Sequence, residues 1–227
     1  DRSEDRRDGA AEPQGVTRTI AFIQSGVRTM AEMRDSFGRG AAAVLGWPLS
    51  EPICAAFEAH PDTRVVLDAL QCLDRSDSPQ PIDHVLMRDP VLALELLRLI
   101  NAEAGGLSVE AGSIEHAVSM LGPAQLRRWL GRLLGRARDD HALRPAAYAA
   151  LRRGLLMRML AAGTGEREQR GELFMCGVLS LLHRIYARPI VELLHPLPLP
   201  ERVRAALIDR RGPYMPLLAL ARAIESE

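Results

Sequence analysis

The sequence contains no lysine, and all 29 of its cationic residues are arginines. An equal number of aspartates and glutamates brings the formal net charge to zero. A neutral chain has no overall electrostatic attraction for nucleic acids or for anionic membranes. A bias toward GC-rich codons explains the missing lysines more simply than a chemical requirement for guanidinium groups.

Cysteines and long apolar runs are also scarce. The three cysteines, Cys54, Cys72 and Cys176, are scattered and odd in number. They form neither a disulfide framework nor a C-x-x-C metal site, and we expect each to be a small buried hydrophobic residue. No apolar run approaches the length of a membrane span, and no signal peptide is visible. A cytoplasmic protein with no membrane partner is therefore expected.

Residues 1–15 are rich in charge and contain no large apolar side chain. Such a segment buries too little surface to offset the entropy lost on ordering. The sequence therefore predicts a disordered tail, or a cut made inside a longer protein. The first residue is Asp rather than Met, which favours the second interpretation.

The stretch that begins at Arg88 predicts a central buried helix. Asp89 is a suitable N-cap, and Pro90 suits the first helical position, where a missing N–H costs nothing. The residues that follow are apolar almost all round, which is typical of a helix buried on most sides. Gly105 and Gly106 are expected to end it.

Two further helices are predicted directly afterwards, and others follow toward the C-terminus. Ser113 begins the first of them, and Gly122-Pro123 separates it from the second. The second helix has a periodic apolar stripe made of Leu126, Trp129, Leu130, Leu133 and Leu134. A later helix is predicted to run continuously from Phe174 through Ile185.

Three strings of residues resemble one known family. They are R-D-P-x-L-x-x-x-L-L-R-L-I-N-A from Arg88, S-I-x-x-A-V-x-x-L-G-x-x-x-L-R-R-W-L from Ser113 and L-F-x-x-G-x-L-S-L-L from Leu173. They resemble the HDOD domain, an all-helical relative of the HD phosphohydrolases. The resemblance extends from about residue 57 to about residue 224, so we assign residues 54–227 to an HDOD bundle of five or more core helices.

Residues 16–53 have a different pattern, which predicts a small βαβ element. The strings I-Q-S-G-V-R-T and G-R-G-A-A-A-V-L-G-W-P-L-S-E-P resemble the last unit of an EAL domain, a fold that binds or hydrolyses cyclic di-GMP. Gln24 and Arg28 stand where that family has glutamates, and Leu45 stands where it has glutamine. The resemblance implies a degenerate remnant without chemistry. A generic glycine-rich strand–helix–strand would have the same pattern, and this alternative stays open.

A βαβ remnant would leave unpaired strand edges. The apolar side chains on these edges are Ile20, Phe22, Val44 and Leu45. We expect the edges to be covered by the HDOD helices or by the same segment of a second chain. A homodimer is the economical arrangement, because pairing about a two-fold axis needs no other partner.

The HD phosphohydrolases hold a divalent metal with a His-Asp dyad in the string G-x-L-H-D-x-G-K. In the aligned segment here, Ser180 replaces the histidine and Leu181 replaces the aspartate. Leucine cannot bind a metal, and His183 lies on a different helical face. The other histidines, at positions 60, 84, 116, 141 and 195, form no pair with metal-ligand spacing. The resemblance therefore implies no catalytic residue, no metal and no cofactor.

The remaining candidate for function is a set of arginines on the third predicted core helix: Arg127, Arg128, Arg132 and Arg136. The simplest interpretation is the solvated face of an amphipathic helix. The alternative is a docking surface for an acidic protein or a phosphate-bearing ligand. DNA is not expected as a partner, because Trp129 and leucines occupy the face that would have to contact base edges.

The sequence thus predicts a mainly α protein that acts as a non-catalytic bacterial regulatory module through contacts with an unidentified signalling protein. Two rival functions are a metal-dependent HD-type phosphohydrolase and a degenerate cyclic di-GMP receptor. The first lacks the metal dyad, and the second lacks the EAL-family residues it would need.

Because Ser180 and Leu181 occupy the dyad positions, we expect no stoichiometric divalent metal and no phosphodiesterase or nucleotidase activity. Elemental analysis of the purified protein and hydrolysis assays would test both expectations. About one equivalent of Mn, Fe, Ni or Zn that a chelator removes together with a hydrolytic activity would contradict them.

Overall fold

The computed structural model describes residues 21–51, 59–75, 81–103, 113–139, 143–161 and 166–226. The predicted tail at 1–15, Cys54, Gly105 and Gly106 lie outside these ranges. The elements are β1 (Ile23–Val27), α1 (Met30–Gly38), β2 (Ala43–Gly46), α2 (Thr63–Asp74), α3 (Ile82–Leu86), α4 (Pro90–Glu103), α5 (Ile114–Leu134), α6 (Arg144–Leu160), α7 (Arg167–Leu179), α8 (Leu182–Tyr186), α9 (Ile190–Leu194), α10 (Glu201–Leu207) and α11 (Met215–Ser226). The predicted mainly α architecture with a small N-terminal βαβ element is confirmed.

The βαβ element is built as its sequence pattern predicts. Strands β1 and β2 pair in parallel, with Ile23 opposite Ala43, and α1 connects them. Thr29 caps α1: its side chain accepts a hydrogen bond from the Glu32 N–H at 3.1 Å. The Glu32 carboxylate in turn accepts one from the Thr29 N–H at 3.1 Å. This reciprocal capping box fixes where the crossover helix begins.

The βαβ element is attached to the helical bundle through its own side chains. Met30 and Leu49 are buried in the same apolar core as the bundle helices. Arg184 of α8 donates a hydrogen bond to the Ser50 carbonyl at 2.7 Å. The guanidinium of Arg152 lies 5.6 Å from the centre of the Trp47 ring, a cation–π distance.

The strand edges are less covered than the sequence predicts. Leu45 is 60% exposed, and neighbouring Ile23 on β1 is 61% exposed. Phe22 and Val44 are partly buried, and Ile20 lies outside the described residues. The expectation that the helices cover the edge is therefore wrong for Leu45, because the bundle contacts the element through α1 and the segment after β2. Coverage by a second chain stays a prediction.

Helix α4 is the central buried helix. The Asp89 carboxylate accepts hydrogen bonds from the N–H groups of Val91, at 2.8 Å, and Leu92, at 3.4 Å, as the predicted N-cap. Its other oxygen accepts one from the Asp62 N–H at 2.7 Å, which connects the starts of α4 and α2. Burial raises the pKa of Asp89 to about 6. The fully or almost fully buried residues of α4 are Val91, Leu92, Ala93, Leu94, Leu96, Leu97 and Ile100.

Helix α5 is two helices joined at a kink. Gly122 has φ 71°, in the left-handed region that favours glycine, and Pro123 then begins the second half. Ser113 caps the first half by accepting a hydrogen bond from the His116 N–H at 3.1 Å. The predicted break at Gly122-Pro123 is confirmed. In the described ranges, no helix is both long and apolar enough to span a bilayer.

The single helix predicted from Phe174 through Ile185 is two helices, α7 and α8. The chain leaves α7 at Ser180, whose hydroxyl donates a hydrogen bond to the Gly177 carbonyl at 2.7 Å. A serine that bonds back to the preceding turn competes with the backbone and bends or ends a helix. The predicted inner-face residues are buried nevertheless, because the chain resumes a helical path at Leu182.

Helices α6 and α7 cross at two glycines with almost no space between their backbones. A Cβ placed on Gly177 would lie 2.6 Å from the Gly154 Cα and 2.7 Å from its N. A Cβ on Gly154 would lie 2.9 Å from the Phe174 carbonyl oxygen. Only glycine at both positions allows the helices to approach this closely.

We expect Gly177→Ala to lower the free energy of unfolding by about 1–3 kcal/mol, because the added methyl group overlaps backbone atoms. Chemical denaturation would measure the change. The matched control is Gly131→Ala on α5, where an added Cβ meets no atom within 4 Å. That variant should gain up to about 1 kcal/mol from helix propensity. Equal stabilisation by the two substitutions would contradict the close crossing.

Candidate functional site

The structure places the two dyad positions between α7 and α8, in the interior. Ser180 is fully buried and Leu181 is 4% exposed. The Ser180 hydroxyl accepts a hydrogen bond from Nη1 of Arg153 at 2.7 Å and donates one to the Gly177 carbonyl at 2.7 Å. The Ser180 hydroxyl thus has both a hydrogen-bond donor and an acceptor within the protein. The Leu181 side chain has no polar atom that could bind a ligand.

Arg153 of α6 forms a buried ion pair with Glu225 of α11. Nε of Arg153 lies 3.1 Å from Oε1 and 3.0 Å from Oε2 of Glu225, and Nη2 also donates to Oε2. The two side chains are only 6% and 3% exposed. A guanidinium that donates several hydrogen bonds to a carboxylate is among the strongest charge-assisted contacts in proteins.

These residues do not fit a divalent metal. The cation at the dyad position is the guanidinium of Arg153, which would repel a metal ion brought next to Ser180. A neutral hydroxyl and a leucine are poor replacements for imidazole and carboxylate ligands. Within the ranges that the structure describes, no group of three or more His, Cys, Asp or Glu side chains could hold a metal.

His183 lies one turn beyond Ser180, at the start of α8. Its Nδ1 is 3.0 Å from the Ser180 carbonyl oxygen, and the side chain is partly buried. Burial lowers the pKa of His183, and the positive charge of Arg184 lowers it further. The imidazole is therefore biased toward its neutral form, in which a protonated Nδ1 donates to that carbonyl.

A groove of about 580 Å³ lies beside this ion pair. It runs between the βαβ element, whose Trp47 and Leu49 line one side, and the C-terminal helices. Five arginines line this arginine groove: Arg153, Arg184, Arg188, Arg210 and Arg222. They come from α6, α8, α11 and two connecting segments. No sequence pattern predicts the groove, because these residues share no periodicity along the chain.

Of the four arginines predicted to bind a partner, Arg127, Arg128 and Arg132 lie on the second half of α5 and Arg136 lies two residues after its end; all four are exposed. Arg127 forms an ion pair with Asp74, and Nη2 of Arg136 lies 4.0 Å from Glu95. Arg128 and Arg132 make no ion pair with another described residue. The structure thus leaves all four exposed to solvent, and their role in binding a partner stays a prediction.

We expect Arg153→Met to destabilise the protein by about 3–5 kcal/mol, because it leaves the Glu225 carboxylate buried without its partner. The double variant Arg153→Met/Glu225→Leu should recover most of this loss, because it removes both charges. The control is Arg188→Ala, which breaks an exposed pair with Glu192 and should cost no more than about 1 kcal/mol. Denaturation midpoints that were the same for Arg153→Met and Arg188→Ala would contradict the buried pair.

Three known proteins are similar to parts of this chain. The uncharacterized protein YuxH of Bacillus subtilis is 26% identical over 216 residues, which cover 92% of this chain and 52% of YuxH. The cyclic di-GMP phosphodiesterase CdgJ of Vibrio cholerae is 26% identical over 144 residues, which cover 63% of this chain and 33% of CdgJ. The chain thus spans about half the length of the first relative and a third of the second.

Among solved structures, the MmoQ response regulator from Methylococcus capsulatus is similar with a TM-score of 0.56 and 18% identity. The match covers 76% of this chain and 88% of that chain, and at this identity it supports the fold alone. The HDOD domain family matches residues 59–194, which is more than half of the sequence. The chain belongs to the HDOD domain family.

Proposed function

We propose that this chain is a non-catalytic regulatory module of a bacterial signalling protein and acts by binding another protein. The observation that carries the proposal is the contact of Arg153 with Ser180 and Glu225. An ion pair and a hydroxyl there replace the groups that an HD phosphohydrolase uses to hold metal and activate water. A signalling role is supported by the HDOD family and by similarity to part of a cyclic di-GMP phosphodiesterase.

The two rival functions have less support from the residues. A metal-dependent phosphohydrolase would need ligands that Ser180 and Leu181 do not supply. A cyclic di-GMP receptor of the EAL type would use the positions of Gln24 and Arg28. Here the Gln24 amide donates to the neighbouring Ser25 carbonyl at 3.1 Å, and the Arg28 N–H donates to Glu32 at 2.7 Å. These positions make local contacts within the βαβ element, which we propose to be a degenerate EAL remnant.

The proposed docking surface is the exposed arginine face of α5. Arg128 and Arg132 form no ion pair with a described carboxylate. Arg127 lies near Asp74, and Arg136 lies near Glu95. Exposed guanidinium groups can form bidentate contacts with carboxylates of a partner. An acidic protein surface is therefore the expected complement. A homodimer formed through the βαβ element stays a separate prediction.

We expect Arg128→Ala/Arg132→Ala to abolish capture of a partner from the source cell while the free energy of unfolding changes by no more than about 0.5 kcal/mol. Affinity capture with the parent protein as bait, followed by mass spectrometry, would measure the first effect. Chemical denaturation would measure the second.

The control bait is Arg39→Ala/Arg211→Ala, which removes two exposed arginines from other parts of the chain. It should capture the same partner as the unchanged protein. Equal capture by both double variants would rule out the α5 face as the docking surface. Early unfolding of the α5 variant would instead show that these arginines are structural.

A further inference from the structure

The arginine groove carries more positive charge than its own acidic residues neutralise. Glu225 is the carboxylate that lines it, and its hydrogen bonds go to Arg153. Arg188 pairs with Glu192 at 3.0 Å on the exposed rim. Three further arginines line the groove and form no ion pair with a carboxylate among the described residues: Arg184, Arg210 and Arg222.

Two of these guanidinium groups, those of Arg210 and Arg222, lie close enough for their charges to repel each other. Arg184 donates to the neutral Ser50 carbonyl, so its charge stays uncompensated. The pKa of Arg222 is lowered, first by burial and then by the charge of Arg153, and Arg210 adds to this repulsion. Positive groups that share a partly desolvated site favour an anion that enters between them.

The backbone at Arg210 is a second, independent observation. Arg210 has φ 55°, and the N–H of the next residue, Arg211, donates to the Ala205 carbonyl at 3.0 Å beyond the end of α10. Arg210 lies two residues beyond the C-cap Ile208, in the left-handed region that glycine adopts most easily. The chain has arginine there instead, at a cost in local stability, and that arginine lines the groove.

We propose that the arginine groove binds a phosphoryl-bearing anion of nucleotide size. Arg184, Arg210 and Arg222 would contact the phosphoryl oxygens, because the planar guanidinium fork matches phosphate geometry. Trp47 and Leu49 would contact the rest of the molecule on the apolar side. A volume of about 580 Å³ lies in the range of small-molecule sites. This proposal goes beyond the protein-binding function and does not depend on it.

Isothermal titration calorimetry of the full chain with pyrophosphate, ADP and GDP at low salt would test the site. We expect ADP or GDP to bind more tightly than pyrophosphate, because only the nucleotides contact the apolar side. Arg222→Ala and Arg210→Gly should each weaken that binding by about tenfold or more. Arg39→Ala, which removes an exposed arginine outside the groove, should leave it unchanged.

The Arg210→Gly variant separates binding from folding. Its thermal midpoint should equal or exceed that of the unchanged protein, because glycine relieves the left-handed strain. A loss of nucleotide binding in this variant cannot then result from unfolding. A structural role for Arg210 would have the opposite effect, a lower midpoint with unchanged nucleotide binding, and would overturn the proposal.

His183 supplies a readout that does not depend on the variants. It lines the same groove, and its pKa is lowered by burial and by Arg184. A bound phosphoryl group should raise that pKa, which an NMR titration of the imidazole would detect. The proposal would be overturned by no binding of any phosphate probe at about 1 mM. It would also be overturned by a poly-glutamate peptide that binds where the nucleotides do not.

Discussion

The arrangement of the C-terminal half depends on one close contact, the crossing of α6 and α7 at Gly154 and Gly177. With no side chain at either position, the two backbones touch. Arg153 directly precedes one glycine, and Ser180 follows the other by one turn, so the crossing brings the guanidinium to the serine hydroxyl. A charge buried this deeply must be paired, and Glu225 supplies the partner from α11. This ion pair connects α11 to the crossing of α6 and α7.

The buried pair of Arg153 with Glu225 also affects the chemistry of this region. A buried ion pair adds little net stability compared with apolar side chains of the same size, but each half is costly to leave alone. Removing only one partner of the Arg153–Glu225 pair should therefore cost more than replacing both with apolar residues. The pair also places the guanidinium of Arg153 beside Ser180, the residue that the sequence resemblance aligns with the histidine of the HD dyad. The neighbouring groove takes its positive character from arginines that this packing gathers around it.

Features decided by a few neighbouring residues could be predicted from the sequence. The cap at Asp89, the cap at Ser113 and the kink at Gly122 each depend on a local hydrogen bond or on a backbone angle that glycine adopts easily. The break between α7 and α8 was not predicted, because the apolar pattern continues through it. Ser180 ends α7 by bonding back to Gly177, and periodicity does not record such a bond. The exposure of Leu45 was also missed, since it depends on which face of the βαβ element meets the bundle.

By itself, the sequence determined the mainly α class, the order strand–helix–strand before the bundle, and the burial of α4. Each of these follows from propensity, capping and periodicity over a few turns of chain. It also predicted, from the resemblance to the HD phosphohydrolases, that Ser180 and Leu181 do not form a metal-binding dyad, and this stays a prediction. Only the tertiary structure decided that Arg153 pairs with Glu225 and that five arginines line one groove. Those residues lie on separate elements, so their meeting depends on how the helices cross, which no local pattern encodes.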